Sequence, residues 1–179
     1  MNGLTFITGN ADKAAYLAHH LGIALRHTKL DLPEIQELEL QAVVRAKALE
    51  AYARLGVPVL VEDTSLVFPA LGGLPGPFIK WFEQSLGLEG ICRLLDGKDR
   101  LAVATSMFGL CQDGEVELFA GSVPGTISQH PLGESGFGWD SVFIVEGQTK
   151  TWGELGPEGK HANNMRRKAL DLLAARLDA

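Results

Sequence analysis

The chain has 179 residues, with sixteen basic and twenty-two acidic side chains and a formal net charge of −6. With 46% hydrophobic and 21% charged residues, its composition is that of a globular protein and excludes a disordered chain. The length predicts one domain over residues 1–179. The acidic balance argues against a nucleic-acid polymer as the main ligand, but it allows a small anion held by a few local cations.

The cysteines and the N-terminal segment bear on where the protein works. Cys92 and Cys111 form no CxxC pair and no zinc-type spacing with histidine, and two isolated thiols suit a reducing cytosol better than a disulfide. Residues 1–8 contain no basic region before a long apolar run, so we expect no signal peptide. No apolar stretch approaches the ~20 residues of a membrane helix. We therefore expect a cytoplasmic protein without membrane contact.

The first third of the chain alternates short apolar runs with helical patterns. Residues 4–8 predict a strand, followed by a turn and a helix that Asn10 caps and Gly22 ends. A second short strand is expected at 23–27, and a longer helix is expected over 40–55. The chain therefore opens with the strand–turn–helix order of an α/β protein.

The middle of the chain has a third apolar run and a loop rich in glycine and proline. Residues 59–61 predict a strand that ends at the polar segment 62–64. Residues 69–77 predict a loop, because they combine three prolines with three glycines. Two short helices are expected after it, over 78–86 and 89–95.

The last part of the chain has a different, β-rich pattern. Asp113-Gly114 lies between two β-rich runs and predicts a hairpin. The other predicted elements are strands at 101–111, 116–123 and 142–145, a turn at Pro124-Gly125 and a helix from about Asn164. Interleaved helices and strands followed by an antiparallel middle favour an α/β fold around a mixed sheet.

Residues 8–13 end the first strand and start the first helix. Free N–H groups at a helix start attract anions, and Lys13 adds a full charge in the first turn. The segment lacks the two glycines and the Gly-Lys-Ser/Thr ending of a P-loop. From this segment alone, an ordinary capped helix is the favoured interpretation.

Glu62 and Asp63 follow an apolar strand. Neighbouring strand residues point to opposite faces, so one carboxylate can face a ligand and the other cannot. The ligand-facing carboxylate is a candidate for holding Mg²⁺ or orienting a water molecule. A simple surface turn is the alternative.

Lys47 falls within the apolar stripe of its predicted helix. A lysine on a buried face either extends its ammonium group to solvent or meets an anion. Both interpretations remain open.

Two aromatic residues, Phe137 and Trp139, lie in a glycine-rich loop that ends at Asp140. Such residues either anchor a folded-back loop or form a stacking platform for a planar base. Asp140 can accept hydrogen bonds from base N–H groups. Further on, Lys160 and Arg166-Arg167 form either a solvated basic face or a set of donors to a 6-keto purine.

Together and in this order, these segments resemble the inosine triphosphate pyrophosphatase family, which removes non-standard purine nucleoside triphosphates. Each motif is weak alone, and the ordered set is specific. The residues that carry the resemblance are Thr8-Gly9-Asn10-x-x-Lys13, Leu32-Pro33-Glu34, 61–66, 70–82, Phe137-Gly138-Trp139-Asp140, Glu154-Leu155, Lys160, Arg166 and Ala169-Leu170.

The resemblance implies an elongated mixed β-sheet flanked by helices, with two lobes and a central active-site cleft. It also implies a homodimer that requires Mg²⁺. The reaction would convert ITP, dITP or XTP and water into the nucleoside monophosphate and pyrophosphate.

The resemblance also implies roles for individual residues. Glu34 and Asp63 would bind the metal, and Asp63 and Lys13 would be catalytic, with Asp63 orienting or deprotonating the attacking water. The residues expected to contact substrate are Thr8, Gly9, Asn10, Lys13, Lys47, Thr64, Lys80, Phe137, Gly138, Trp139, Asp140, Lys160 and Arg166.

One departure from the family pattern concerns base recognition. The family has Ser-His-Arg before the last helix, whereas this chain has Asn164-Met165-Arg166. A methionine does not donate a strong hydrogen bond or titrate, so a changed base preference is the favoured consequence. Compensation by His161 is a less favoured alternative. The competing function is a nucleotide-binding protein without turnover.

Overall fold

The computed structural model describes residues 3–134, 136, 138–161 and 164–178, and the side chains of 157–161 are excluded from the description. The strands are β1 (Thr5–Ile7), β2 (Arg26–Thr28), β3 (Val59–Val67), β4 (Pro75–Gly76), β5 (Leu101–Gln112), β6 (Glu115–Ile127) and β7 (Phe143–Val145). The helices are α1 (Ala11–Leu21), α2 (Leu40–Leu55), α3 (Ile79–Arg93), α4 (Trp152–His161) and α5 (Met165–Leu177). Helix α3 is broken at Gly87, as the sequence predicts, and α4 is broken at Gly156.

The strands form one sheet in the order β2-β1-β3-β5-β6-β7, with β4 paired to β3. Strand β1 runs parallel to β2 and β3. Antiparallel pairs join β3 to β4 and β6 to β7. The predicted α/β fold around a mixed sheet flanked by helices is confirmed. No helix within the described residues is long and apolar enough to cross a membrane.

The chain divides into two compact units, and the single domain and the central cleft stay predictions. The first unit contains Met1–Asp63, Ser106–Gly121 and Lys168–Ala179, and the second contains Thr64–Thr105 and Ser122–Arg167. The boundaries therefore fall within the long strands β3, β5 and β6 and within α5.

The first unit packs helices through two apolar clusters. In one, Leu60 of β3 packs with β1 and with buried residues of α1 and α5. In the other, Val59 and Val61 pack with the buried face of α2. Adjacent residues of β3 thus enter different clusters, because strand side chains alternate in direction. This alternation fixes which residues of β3 can meet α2.

The second unit has its own core, in which α3 packs with inward residues of β5 and β6 and with four aromatic side chains, one of them Phe68. The cluster residues from these elements include Ile79, Ile91, Ala102, Ala104, Val123, Trp139, Phe143, Trp152 and Met165. All of them are buried. The short segment 138–142 is held against α3 and α4.

Strand β3 and strand β6 are both longer than the sequence predicts. Strand β3 continues to Val67, so Glu62 and Asp63 lie within a strand and the prediction that they end it is wrong. The predicted turn at Pro124-Gly125 is also wrong, because β6 passes through it and Gly125 pairs with Val145. A Cβ at Gly125 would collide with the backbone of Ile144, so the glycine serves strand pairing here.

The predicted hairpin between β5 and β6 is confirmed. Its two-residue turn has φ values of +53° at Asp113 and +81° at Gly114. Positive φ at both positions is the requirement of a type I′ turn, which glycine and aspartate tolerate well. Strand β2 begins at Arg26, three residues later than predicted.

Candidate functional site

The turn between β1 and α1 is ordered by its own side chains. Asn10 is the N-cap residue, and its Oδ1 accepts a hydrogen bond of 3.1 Å from the Lys13 N–H. The Asn10 N–H in turn donates to the Thr8 Oγ1 at 3.1 Å. The predicted cap is confirmed. Because Ala11 and Asp12 begin the helix, their N–H groups have no acceptor within it.

A lysine that the sequence did not single out lies over the same turn. A Cβ at Gly9 would stand 3.2 Å from Cδ of Lys29, so the lysine stem packs directly on the glycine. Parallel pairing of Ile7 with Thr28 sets this register, and the Thr8 N–H donates to the Thr28 carbonyl at 2.9 Å. No local pattern could have placed Lys29 here, because the pairing joins residues about twenty positions apart.

Three of the predicted site residues come together around one ammonium group. The Nζ of Lys47 lies 3.1 Å from Oδ2 of Asp63 and 3.9 Å from Oε1 of Glu34. The side chain of Lys47 is 19% exposed and that of Asp63 is 24% exposed. Lys47 therefore meets anionic partners, and these are the two carboxylates expected to bind a metal.

Glu62 has a different partner from its neighbour. Its Oε1 accepts a hydrogen bond of 3.1 Å from the hydroxyl of Ser106, a fully buried residue of β5. Asp63 accepts from Lys47 of α2. The two adjacent carboxylates thus serve different elements, as strand alternation predicts.

Glu34 and Asp63 form the candidate metal site of the first unit. Among the residues that the structure describes, no group of three or more His, Cys, Asp or Glu side chains could hold a metal ion. Mg²⁺ is commonly bound through one or two carboxylates, together with water and substrate phosphates. Glu34 and Asp63 supply two carboxylates about one point of positive charge, so this donor set fits a Mg²⁺ ion that also binds phosphates.

In the second unit, Gly136 packs tightly against Asp140. Gly136 has φ of +110°, and a Cβ there would stand 2.5 Å from the Asp140 carboxylate. Asp140 is buried, with only 3% of the residue exposed. A glycine is therefore required at position 136, because any side chain would force this loop away from Asp140.

Trp139 is an anchor of this loop. It is 7% exposed, and its ring centroid lies 5.6 Å from that of Phe143 and 5.7 Å from that of Trp152. These packed aromatic neighbours match the folded-back interpretation of Trp139. Phe137, the other aromatic residue of the motif, lies outside the described residues.

Glu83 of α3 is a second residue that the sequence did not single out. Its Oε2 lies 3.4 Å from the position of a Cβ on Gly138. Burial, and then the negative charge of Asp140, raise the pKa of the Glu83 carboxyl. Glu83 lies three residues after Lys80, a spacing that puts two helical residues on one side. That spacing was the only available signal. Lys80 itself lies with its Nζ 5.3 Å from the Trp81 ring centroid.

The start of α5 carries the residues that depart from the family pattern. Oδ1 of Asn164 accepts a hydrogen bond of 2.8 Å from the Arg166 N–H, so Asn164 caps the helix. Met165 is 7% exposed and packs in the same apolar cluster as Trp139. The side chains of Lys160 and His161 lie outside the described residues.

These features define an α/β protein with a mixed sheet and a site of two carboxylates and a lysine. Solved structures share this fold. A Ham1 protein from Coxiella burnetii superposes with a TM-score of 0.89 at 24% identity, covering 99% of both chains. A nucleoside-triphosphatase, or dITP/XTP pyrophosphatase, from Mycobacterium abscessus gives a TM-score of 0.79 at 26% identity, covering 95% of this chain and 97% of that one.

The Ham1 family model matches residues 4–176, and the chain belongs to this family. Inosine triphosphate pyrophosphatase 2 of Trypanosoma cruzi is 46% identical, covering 96% of this chain and 90% of that protein. The inosine triphosphate pyrophosphatase of Yarrowia lipolytica is 47% identical, with 95% and 93% covered. A dITP/XTP pyrophosphatase of Methanopyrus kandleri is 39% identical, with 94% and 93% covered.

Proposed function

We propose that this protein is a nucleoside-triphosphate pyrophosphatase that hydrolyses ITP, dITP and XTP to the monophosphate and pyrophosphate. The observation that carries the proposal is the meeting of Glu34, Lys47 and Asp63 at one point in a chain of this family. Relatives that cover nearly its whole length bear the names of enzymes for these substrates. Removal of such nucleotides would cleanse the nucleotide pool.

Magnesium is the proposed cofactor, with Glu34 and Asp63 as its protein ligands. When bound, Mg²⁺ neutralises charge on the phosphates and stabilises the charge that develops as the anhydride breaks. The two carboxylates come from different parts of the first unit, the segment before α2 and strand β3. Their convergence on Lys47 supports this assignment, because groups that share one cation are close enough to share another.

The turn between β1 and α1 is the proposed phosphate cradle. Thr8 and Asn10 use their side chains to order the turn, so their contribution is to hold backbone N–H groups toward the anion. Gly9 lets the chain approach closely, and Lys13 adds positive charge in the first helical turn. Lys47, Lys80 and Lys160 are the further proposed cations, and Lys29 joins them because its stem packs on Gly9.

Asp63 is the proposed catalytic carboxylate. It would orient a water molecule toward the α–β phosphoanhydride and accept the proton as the water oxygen bonds to phosphorus. The anhydride P–O bond then breaks and pyrophosphate leaves, with its charge balanced by the surrounding lysines. Lys13 is the proposed second catalytic residue, because it neutralises charge on the phosphates as the bond breaks. Thr64, the next residue of β3, is a proposed substrate contact.

The segment around Asp140 is the proposed base pocket. Phe137, Gly138 and Asp140 would contact the base, and Arg166 would donate to its 6-keto oxygen. Trp139 contributes by fixing the loop, because its ring packs against Phe143 and Trp152. In this proposal the loop contacts the base, and its buried tryptophan stabilises the loop.

A second candidate is the same chemistry with another preferred base. It is favoured by Met165, which is buried among apolar residues where the family has a histidine. The two candidates share the carboxylates and the lysines, and they differ in one donor near the base. A panel of substrates separates them.

The test is pyrophosphate release with Mg²⁺ from ITP, XTP, dITP, ATP, GTP and UTP. We expect fast release from the first three, loss of release in excess EDTA, and loss in a folded Asp63→Asn variant. Fast release from another nucleotide would establish the second candidate. Tight binding of ITP without any release would contradict both and support a binding protein without turnover.

The proposed form of the enzyme is a cytosolic homodimer. Both cysteines are free and buried, and burial raises the pKa of the Cys92 and Cys111 thiols. Buried neutral thiols suit a reducing compartment. Light scattering of the purified protein tests the dimer, and a monomer at micromolar concentration would overturn it.

A further inference from the structure

The ammonium group of Lys47 lies where the proposed function needs a metal ion. Its distances to Asp63 Oδ2 and Glu34 Oε1 are 3.1 and 3.9 Å. The lysine and the aspartate are both largely shielded from water, whereas the Glu34 side chain is 43% exposed. Two neighbouring carboxylates repel each other, and Lys47 supplies the positive charge that holds them together.

A metal ion and this ammonium group compete for the same oxygen atoms. Mg²⁺ binds carboxylate oxygen at about 2.0–2.1 Å. An ammonium that stays 3.1 Å from Asp63 Oδ2 would then lie within a few ångströms of a doubly charged ion, where repulsion is strong. Metal binding to Asp63 therefore favours departure of the Lys47 side chain.

The helix that carries Lys47 packs its neighbouring residues into the core, whereas the lysine side chain has a long stem of rotatable bonds. Neighbouring residues Val43, Val44 and Ala48 are buried against the first unit. The charge of Lys47 can therefore move only by rotation of its four-carbon stem, which is flexible. Its ammonium, once released, remains close to the site and is available to a phosphate group.

We propose that Lys47 is an exchangeable counter-ion. It positions Glu34 and Asp63 before metal binds, and its ammonium group then moves to the substrate phosphates. This inference rests on the proposed function, since it assumes that both carboxylates bind a metal. It couples metal and phosphate binding through one side chain. A lysine that only binds phosphate would not compete with the metal.

The first experiment measures Mn²⁺ binding without nucleotide, by electron paramagnetic resonance of the free ion. The variants are Lys47→Met and, as a matched control, Arg45→Met. Arg45 lies on the same helix, is exposed, and donates to the Val116 carbonyl at 3.1 Å, so its loss changes the net charge equally. We expect Lys47→Met to bind Mn²⁺ about fivefold more tightly than wild type, the scale of a partly exposed ion pair.

Arg45→Met should bind Mn²⁺ as wild type does. Equal or weaker Mn²⁺ binding by a folded Lys47→Met would overturn the proposal, in which competition between Lys47 and the metal outweighs the positioning of the two carboxylates by Lys47. Lys47→Arg keeps the charge and should remain close to wild type. If Lys47→Met does not fold, Lys47→Gln replaces it with a polar side chain of similar length.

The second experiment measures ITP binding in excess EDTA, where no turnover occurs. Asp63→Asn removes the charge of the nearer of the two carboxylates that hold Lys47, so this variant should bind metal-free ITP more tightly than wild type. Part of any gain in ITP affinity comes simply from removing a negative charge. Glu62→Gln removes one at the neighbouring position and therefore measures this part. In the Lys47→Met background the gain from Asp63→Asn should shrink to that of Glu62→Gln.

The two proposals fail in different ways. If Asp63→Asn strengthens ITP binding equally with and without Lys47, the exchange is refuted even when wild type releases pyrophosphate normally. If Lys47→Met gains Mn²⁺ affinity but the wild-type protein hydrolyses no nucleotide, the competition stands and the proposed enzymatic function is refuted.

Discussion

Gly109 of β5 lies directly against Val44 of α2. A Cβ at position 109 would stand 2.7 Å from the Val44 Cγ1 and 3.2 Å from the Val61 Cγ2. The absence of a side chain therefore lets α2 approach the sheet, and the same helix carries Lys47 to Asp63. Helix packing and the geometry of the candidate site thus depend on one glycine.

Gly109→Ala tests this dependence. We expect a loss of about 1–3 kcal/mol in the free energy of unfolding, because overpacking forces neighbouring groups to move. Chemical denaturation measures it. The double variant Gly109→Ala/Val44→Ala should lose less than the sum of the two single losses, because Val44→Ala removes the clashing methyl. Strict additivity would show that the contact with Val44 does not limit packing.

Asn10→Ala tests the cap of α1. Loss of the hydrogen bond to the Lys13 N–H should reduce stability by about 0.5–2 kcal/mol. Because the turn is the proposed phosphate cradle, KM for ITP should rise more than kcat falls. Asn10→Ser keeps a capping oxygen and should retain most of both properties. Equal losses in the two variants would argue that the amide of Asn10 has a role besides capping.

Variants of Trp139 test whether this residue anchors the loop or stacks on the base. Trp139→Ala should cost about 3–5 kcal/mol, as for other large buried aromatic side chains. Trp139→Phe should keep most of the packing and leave KM for ITP within a few-fold of wild type. Trp81, which is 54% exposed, offers a control, since Trp81→Ala should change stability by less than about 0.5 kcal/mol. A large rise in KM for stable Trp139→Phe would instead support direct stacking.

Glu83 should make stability depend on pH. Its pKa is raised in the folded protein. The contribution of protonated Glu83 to the free energy of unfolding is therefore complete below the ordinary carboxyl pKa of 4.5 and is lost as pH rises through the folded-state pKa. Glu83→Gln removes the charge and should raise Tm at neutral pH but not at acidic pH. Exposed Glu115→Gln is the control. A gain in Tm that does not depend on pH would refute this explanation.

Local patterns predicted what local chemistry determines. The Asn10 cap and the Asp113-Gly114 hairpin depend on a few adjacent residues, and both are present. The turn expected at Pro124-Gly125 failed because pairing with β7 holds this segment extended. Pairing of this kind depends on residues some twenty positions away, which a local pattern does not contain.

In the candidate site, too, the sequence indicated single residues but not the contacts between them. The sequence indicated Lys47 as an unusual lysine and Asp63 as an unusual carboxylate, sixteen positions apart. Their contact depends on how closely α2 packs on β3, which is a tertiary property. Glu83 was missed because its spacing from Lys80, the one local signal, does not indicate its approach to Gly138. Family resemblance, and not residue spacing, singled out Glu34.

The burial of Met165 also limits which residues this position can accept. A histidine at this position, as in the family pattern, would place a titratable ring in an apolar cluster that contains Trp139. Its charged form would be costly there, so Met165→His alone would reduce stability. Substitutions that make room for the ring would have to come first. The order of the substitutions, and not only their chemistry, would then decide whether a histidine is tolerated at this position.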